Sequence, residues 1–372
     1  MAINHYSYNF LAKLAGVSTL VSTFSLGMFF AFLLVGVLAG WVSLSRRSNK
    51  ASIDRGLFWL FGLGLVAFAM LRPVGLARDD LGYVEILKAL CPSGECQGGV
   101  PIARDYVWYA IVKAGLFFWP GGLRVALILS GLGLLIKLYV IDQLCRDRLL
   151  ALFLLIPLCY VQYDLTQLRA GFALSWMLLG VYFLVRARPI LGTTVLFSNF
   201  AVHSQGIFSP GLLVYRLFEW KRWLLPAGVT LLLGLMYLGL YPGAATLGWL
   251  GVTPETADYY QEMKAGGFSG VKVFPLAYLL ILGYGVWFCT TAQREDGVVA
   301  SMAAAGLMLG LMVSWFFAIV PTMQTRVFEF YAVLLVLLAG NISGSHLKLL
   351  LTVALAFVLY LRLELIHEWI LG

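Results

Sequence analysis

Uninterrupted apolar runs such as Phe30 to Gly40 and Ala332 to Gly340 limit this chain to very few architectures. A bilayer core about 30 Å thick asks for roughly 20 apolar residues per helix, and lipid-exposed backbone must satisfy its own hydrogen bonds. With 61% hydrophobic residues, 12% charged residues and a mean hydropathy of +0.89 over 372 residues, a water-soluble globule is excluded. A transmembrane barrel would show short alternating segments, so helices are expected. The reading is an all-α polytopic membrane protein, one transmembrane domain over residues 1–372. It has about 12 transmembrane or half-membrane helices near 18–44, 56–73, 124–143, 149–163, 169–186, 190–203, 207–219, 223–241, 273–292, 298–320, 327–342 and 347–366. No cleavable signal is expected at the N-terminus.

Short basic loops carry Arg46, Arg47, Lys50 and Arg55, then Arg146 and Arg148, Arg186 and Arg188, Lys221 and Arg222, and Arg294. Positive-inside bias assigns them to the cytoplasm. Residues 74–123 and 242–272 then form outer loops, and the stretch from Asp105 to Trp119 reads as an amphipathic or re-entrant helix in the first of them. Cys91 and Cys96 flank ProSerGlyGlu, a spacing that permits a disulfide in an oxidising compartment and leaves free thiols open. No metal site is expected there, since no histidine stands nearby.

Arg169, in TyrAspLeuThrGlnLeuArgAlaGly, lies between two apolar segments. A charge at such a boundary needs a partner or a polar cavity, and is by default a candidate for function. Other polar residues fall on the same expected face: Arg72, Arg78, Asp79, Asp80, Tyr83, Arg104, Asp105, Gln167, His203, Ser204, Gln205, Gln324, Arg326 and Glu329. Two arginines from separate helices can clamp a diphosphate with their planar forks, aided by helix N-termini near Arg169 and Arg326. A carboxylate or neutral imidazole beside them can deprotonate a hydroxyl, which makes Asp79 the first candidate base, followed by His203 and Asp105.

The order Arg72, Asp79, Tyr83, then Asp105, Tyr106, Trp108 and Tyr109, then GlnLeuArgAlaGlyPheAla at 167–173, PheAlaValHisSer at 200–204 and ArgValPheGluPheTyr at 326–331 resembles the EpsG-like branch of Wzy-type polysaccharide polymerases. The resemblance implies a GT-C-like membrane glycosyltransferase in the bacterial inner membrane, with its active site facing the periplasm. It would polymerise undecaprenyl-diphosphate-linked oligosaccharide repeat units, as in O-antigen or exopolysaccharide synthesis. No cofactor, metal or nucleotide sugar is implied at that step, and no nucleic acid. The implied partners are the lipid-linked oligosaccharide, the bilayer and a regulator of chain length. On this reading Arg169 and Arg326 take the donor diphosphate, with Arg72 or Arg78 as a third contact. Tyr83, Gln167, Gln205, Tyr259 and Tyr260 face the glycan. An O-antigen ligase, a lipid-linked glycan flippase or transporter, and a membrane O-acyltransferase remain the alternatives, although no internal repeat supports the transporter.

Overall fold

The computed structural model describes residues 50–72, 79–80, 82–84, 105–118, 123–214, 231, 297–317 and 321–341. Among them every regular element is helical, and three helices are long and apolar enough to cross a membrane. The chain divides into two compact units. The first comprises residues 1–179, 201–204 and 344–372, and the second residues 180–200 and 205–343.

The first unit is built on two antiparallel helices, α1 (Lys50–Leu71) and α3 (Leu123–Leu144), with α2 (Tyr106–Phe118) between them in the chain. Small residues set their approach, as is usual where lipid removes the hydrophobic drive between helices. A Cβ at Gly62 would come within 2.9 Å of the Leu138 side chain, and Gly131 faces Met70. The register is pinned at both ends. Arg55 Nη2 lies 2.7 Å from Asp142 Oδ2, and Arg124 Nη1 donates to the carbonyls of Met70 at 2.8 Å and Arg72 at 3.2 Å, satisfying orphan groups at the end of α1.

Asp147 then caps α4 (Arg148–Leu155) by accepting from Leu150 N. α4 runs without a loop into a π-helical stretch, Ile156–Asp164. Pro157, in its first turn, supplies no backbone N–H, and wide-turn bonds carry the chain on from Leu165 N to Tyr160 O and from Gln167 N to Gln162 O. The expected span at 149–163 is therefore an α-helix followed by a π-helix. After the turn at 165–167 the chain starts α5 (Leu168–Val185), which crosses α3 where Gly133 meets Phe172 and Ser175.

In the second unit the last turns of α5 pack on α6 (Pro189–Val202) through two glycines, Gly180 against Leu196 and Gly192 against Leu184. A 3-10 helix, Ser204–Val214, takes the place of the span expected from 207 onward. Asn199 Nδ2 donates to Ser209 Oγ at 2.6 Å, holding that helix to α6. α7 (Gly297–Phe316), α8 (Pro321–Ala332) and α9 (Leu334–Ala339) complete the unit, with Gly310 against the Tyr331 ring and the Tyr331 hydroxyl donating to Phe208 O at 2.6 Å. The helix expected to start at 327 starts six residues earlier, because Pro321 suits a first turn. The spans expected at 18–44, 223–241, 273–292 and 347–366 and the second outer loop lie outside the described residues.

Candidate functional site

Asp105 is the centre of the polar cluster in the first unit. It stands one residue before α2 with φ 64°, a left-handed conformation that costs most non-glycine residues and that Asp and Asn tolerate best. That turn directs its carboxylate into the protein, where it is only 4% exposed. One oxygen, Oδ2, lies 2.8 Å from Arg169 Nη1. The other accepts from Ser204 N at 2.8 Å and lies 3.0 Å from His203 Nδ1. Burial by itself raises the Asp105 carboxyl, but the His203 hydrogen bond, the neighbouring charges and the Ser204 N–H outweigh it and hold the group below the ordinary value of 3.8. The carboxylate is thus ionised at neutral pH and saturated with donors, which suits an anchor rather than a proton acceptor.

Arg169, the second residue of α5, is held from three sides. Besides Asp105, its Nη1 donates to the Tyr109 hydroxyl at 3.0 Å, and its guanidinium carbon stands 5.6 Å from the Tyr83 ring centre and 5.7 Å from that of Tyr109. Its backbone N–H, one of the orphans at a helix start, reaches the Tyr83 hydroxyl over a long 3.4 Å. Trp108 backs both tyrosines, edge-on to Tyr109 at 5.1 Å and tilted on Tyr83 at 5.7 Å. Arg169 nevertheless stays 27% exposed and His203 15%. The arrangement is a cation in an aromatic box, tied through one carboxylate to an imidazole, with cation and imidazole both still accessible.

His203 stands at the junction of α6 and the 3-10 helix, as the pattern of two short helices predicted. Its Nδ1 faces a carboxylate, so the neutral tautomer with the proton on Nδ1 leaves Nε2 as an acceptor. Tyr83 is buried, and burial followed by the nearby Arg169 charge governs its phenol, with a net upward shift to which Asp79 adds. Asp79, the first candidate base, is half-buried and acts on Tyr83 through its charge.

Not every expected contact opens on this cluster. Arg72 is fully buried and used by the fold: its Nη atoms pair with both oxygens of Asp80 at 2.5 and 2.7 Å, and Nη2 also donates to Leu165 O at 2.7 Å. Arg72, expected with Arg78 as one of two choices for a third diphosphate contact, is thus engaged by Asp80, and a guanidinium closed by a bidentate carboxylate has little left to offer an anion. Gln167 is half-buried in the turn before α5. In the second unit, Arg326 is exposed and is the sixth residue of α8, not near its start, so the helix-terminus argument made for it fails. Gln205 begins that unit's 3-10 segment, its Oε1 buried and without a hydrogen-bond partner among the described residues. Arg78, Tyr259, Tyr260 and the pair Cys91 and Cys96 lie outside the described residues. Among the described residues no group of three His, Cys, Asp or Glu is arranged to hold a metal.

A second buried pair escaped the sequence reading. Lys137 Nζ lies 2.5 Å from Asp164 Oδ1, both side chains having no exposure. The signal was present: Lys137 is a charge midway along an apolar span, which calls for an opposite charge nearby.

Comparison with known families finds one that matches residues 55–368, the EpsG family. The chain belongs to that family. EpsG proteins are polysaccharide polymerase-like membrane proteins, so membership and the apolar helices together make this a membrane enzyme of polysaccharide assembly. No curated protein and no solved structure matches the chain.

Proposed function

We propose that this EpsG-family protein polymerises undecaprenyl-diphosphate-linked oligosaccharide units in the bacterial inner membrane, on the periplasmic side, in a GT-C-like arrangement of about 12 spans. It transfers the growing glycan from its lipid diphosphate to a hydroxyl of the incoming unit. The observation that carries this reading is the Asp105 carboxylate shared between His203 Nδ1 and Arg169 Nη1. Asp105 orients the imidazole so that Nε2 takes the proton of the acceptor hydroxyl as its oxygen bonds to the anomeric carbon. The bond from that carbon to the diphosphate breaks in the same displacement, which inverts the centre. Arg169 meets the charge that grows on the departing diphosphate, where a preorganised cation counts most. His203 replaces Asp79 as the preferred base, because His203 shares a carboxylate with the cation.

Tyr83 and Gln167 stand near enough to Arg169 in space or in the chain to line the glycan side; the family resemblance alone supports Arg326 as a diphosphate contact and Gln205, Tyr259 and Tyr260 as glycan contacts. A chain-length regulator is the expected protein partner. The deciding experiment supplies purified protein in liposomes with lipid-diphosphate repeat units and no nucleotide sugar. A ladder of lengthening products is expected. Transfer to a lipid A core acceptor with no ladder would move the assignment to a ligase, and movement of unaltered lipid across the bilayer would move it to a flippase.

A further inference from the structure

The turn that delivers Arg169 to its box is tied down by groups that never meet solvent. Asp164 ends the π-helix, and its carboxylate takes Lys137 from the middle of α3 while its carbonyl accepts from Ser130 Oγ at 2.8 Å. The next carbonyl, that of Leu165, accepts from Arg72, which is itself clamped on Asp80. From the other side α5 leans on the same turn: a Cβ at Gly171 would stand 2.5 Å from Tyr163 O and 3.2 Å from Asp164 Oδ1, so only glycine allows this approach. Thr166 closes the turn by donating its hydroxyl to Gln162 O. Three residues separate Asp164 from α5, and Arg169 follows one residue into the helix. The backbone has no slack in which an error at Asp164 could be absorbed before it reaches Arg169.

Stability does not account for this pair. Two opposite charges taken out of water recover little more than their desolvation, and apolar side chains of the same size commonly serve as well. What a single short contact adds is direction, since it selects one rotation of the turn among several that fill the space equally. We infer that Lys137 and Asp164 are positioning residues that set the angle and depth at which Arg169 enters the site. The inference rests on the polymerase reading for its effect on rate, but not for its effect on Arg169 itself. A displacement of about 1 Å at a reacting centre costs on the order of 100-fold in rate.

The test compares two double variants of the full-length protein. K137M/D164L removes both charges and the contact, and K137Q/D164N keeps amides able to bond across the same gap. Two quantities are read: kcat and KM in the liposome ladder assay, and the rate at which phenylglyoxal, an arginine-selective dicarbonyl, modifies Arg169 in peptide maps. K137M/D164L is expected to melt close to the parent, to lose about 100-fold in kcat with a smaller change in KM, and to be modified several-fold faster at Arg169. K137Q/D164N is expected to recover most of both. A folded K137M/D164L with parental polymerisation and parental modification overturns the inference. Faster modification with unchanged polymerisation would uphold the positioning and sink the role of Arg169 in the reaction instead. Where K137M/D164L does not insert, S130A carries the same two readouts through the carbonyl of Asp164. An increase of about threefold in modification is expected, and parental values in both overturn the inference.

Discussion

The two ends of the α1 and α3 pair carry nearly the same ingredients and put them to different uses. At the Arg55 end, Asp142 sits between Arg55 and Arg148, each 2.7 Å away, and Arg148 also lies 3.5 Å from Asp54. At the Arg72 end, Asp105 sits between Arg169 and His203. Both centres are buried carboxylates held by two nitrogen bases. The difference lies in the second base. Guanidinium groups never release a proton in this range, so the first cluster is a fixed clamp that joins helix ends to the start of α4. An imidazole can change protonation, and the carboxylate beside it stands in a left-handed turn. A count of charges would rank the clusters together, and only titratable chemistry combined with accessible atoms separates them.

Replacing Arg169 or His203 by Ala should break the comparison most sharply. R169A is expected to lose about 1,000-fold or more in polymerisation rate, because removing one preorganised partner of developing charge costs on that order. H203A should lose about 100-fold or more, the scale of a lost general base. R169K should rescue poorly, since a point-charge ammonium lacks the rigid planar fork with which Arg169 meets Asp105 and Tyr109 and would meet a phosphate. All three are read as rates of ladder growth with insertion checked in parallel. Parental rates in both alanine variants would make the two ends equivalent.

D105N sharpens the same contrast at smaller scale. Asn tolerates the left-handed turn, so the fold should hold, but the charge that orients His203 and pairs with Arg169 is gone. A loss of about 10- to 100-fold in rate is expected, typical of removing a group that orients a reacting one. Stability supplies an independent check. Burial raises the Asp105 carboxyl and its hydrogen bonds and neighbouring charges lower it further, so it is more acidic folded than unfolded. The ionised group therefore stabilises the fold at pH values above 3.8, and that contribution falls away as acid protonates the folded carboxyl. The difference in melting temperature between parent and D105N should be full at pH 7 and should shrink below about pH 4. A difference that grows in acid would contradict the assigned contacts.

Much of this was legible in the chain. The spans at 56–73, 124–143 and 169–186 appear within a few residues of α1, α3 and α5, because continuous apolar runs admit one solution in lipid. Arg169, Asp105 and His203 were legible as polar residues at helix breaks. Their meeting was not, since it depends on a positive φ at Asp105 and on the 3-10 start at Ser204, neither of which follows from residue type. Arg72 and Arg169 look alike in sequence, each at a helix end beside apolar residues. Asp80 occupies one with both oxygens, whereas Asp105 gives the other a single oxygen. The π-helix that ends at Asp164 left only Pro157 as a trace, so the Lys137 partner could not be named.

The smallest effect is expected at the fixed clamp, where it is also the most discriminating control. Arg55 is 57% exposed while its partner Asp142 is 2% exposed, and Arg148 remains to satisfy that carboxylate when Arg55 is removed. R55A should therefore cost no more than about 1 kcal/mol of stability, in the range of solvent-exposed pairs, and should soften with added salt. Polymerisation should stay within about twofold of the parent, because an ion pair of that worth cannot move a helix whose far end is pinned independently by Arg124. A loss at R55A comparable to that at D105N would mean that the two ends of α1 and α3 are mechanically coupled, and that the clamp sets the geometry of the site.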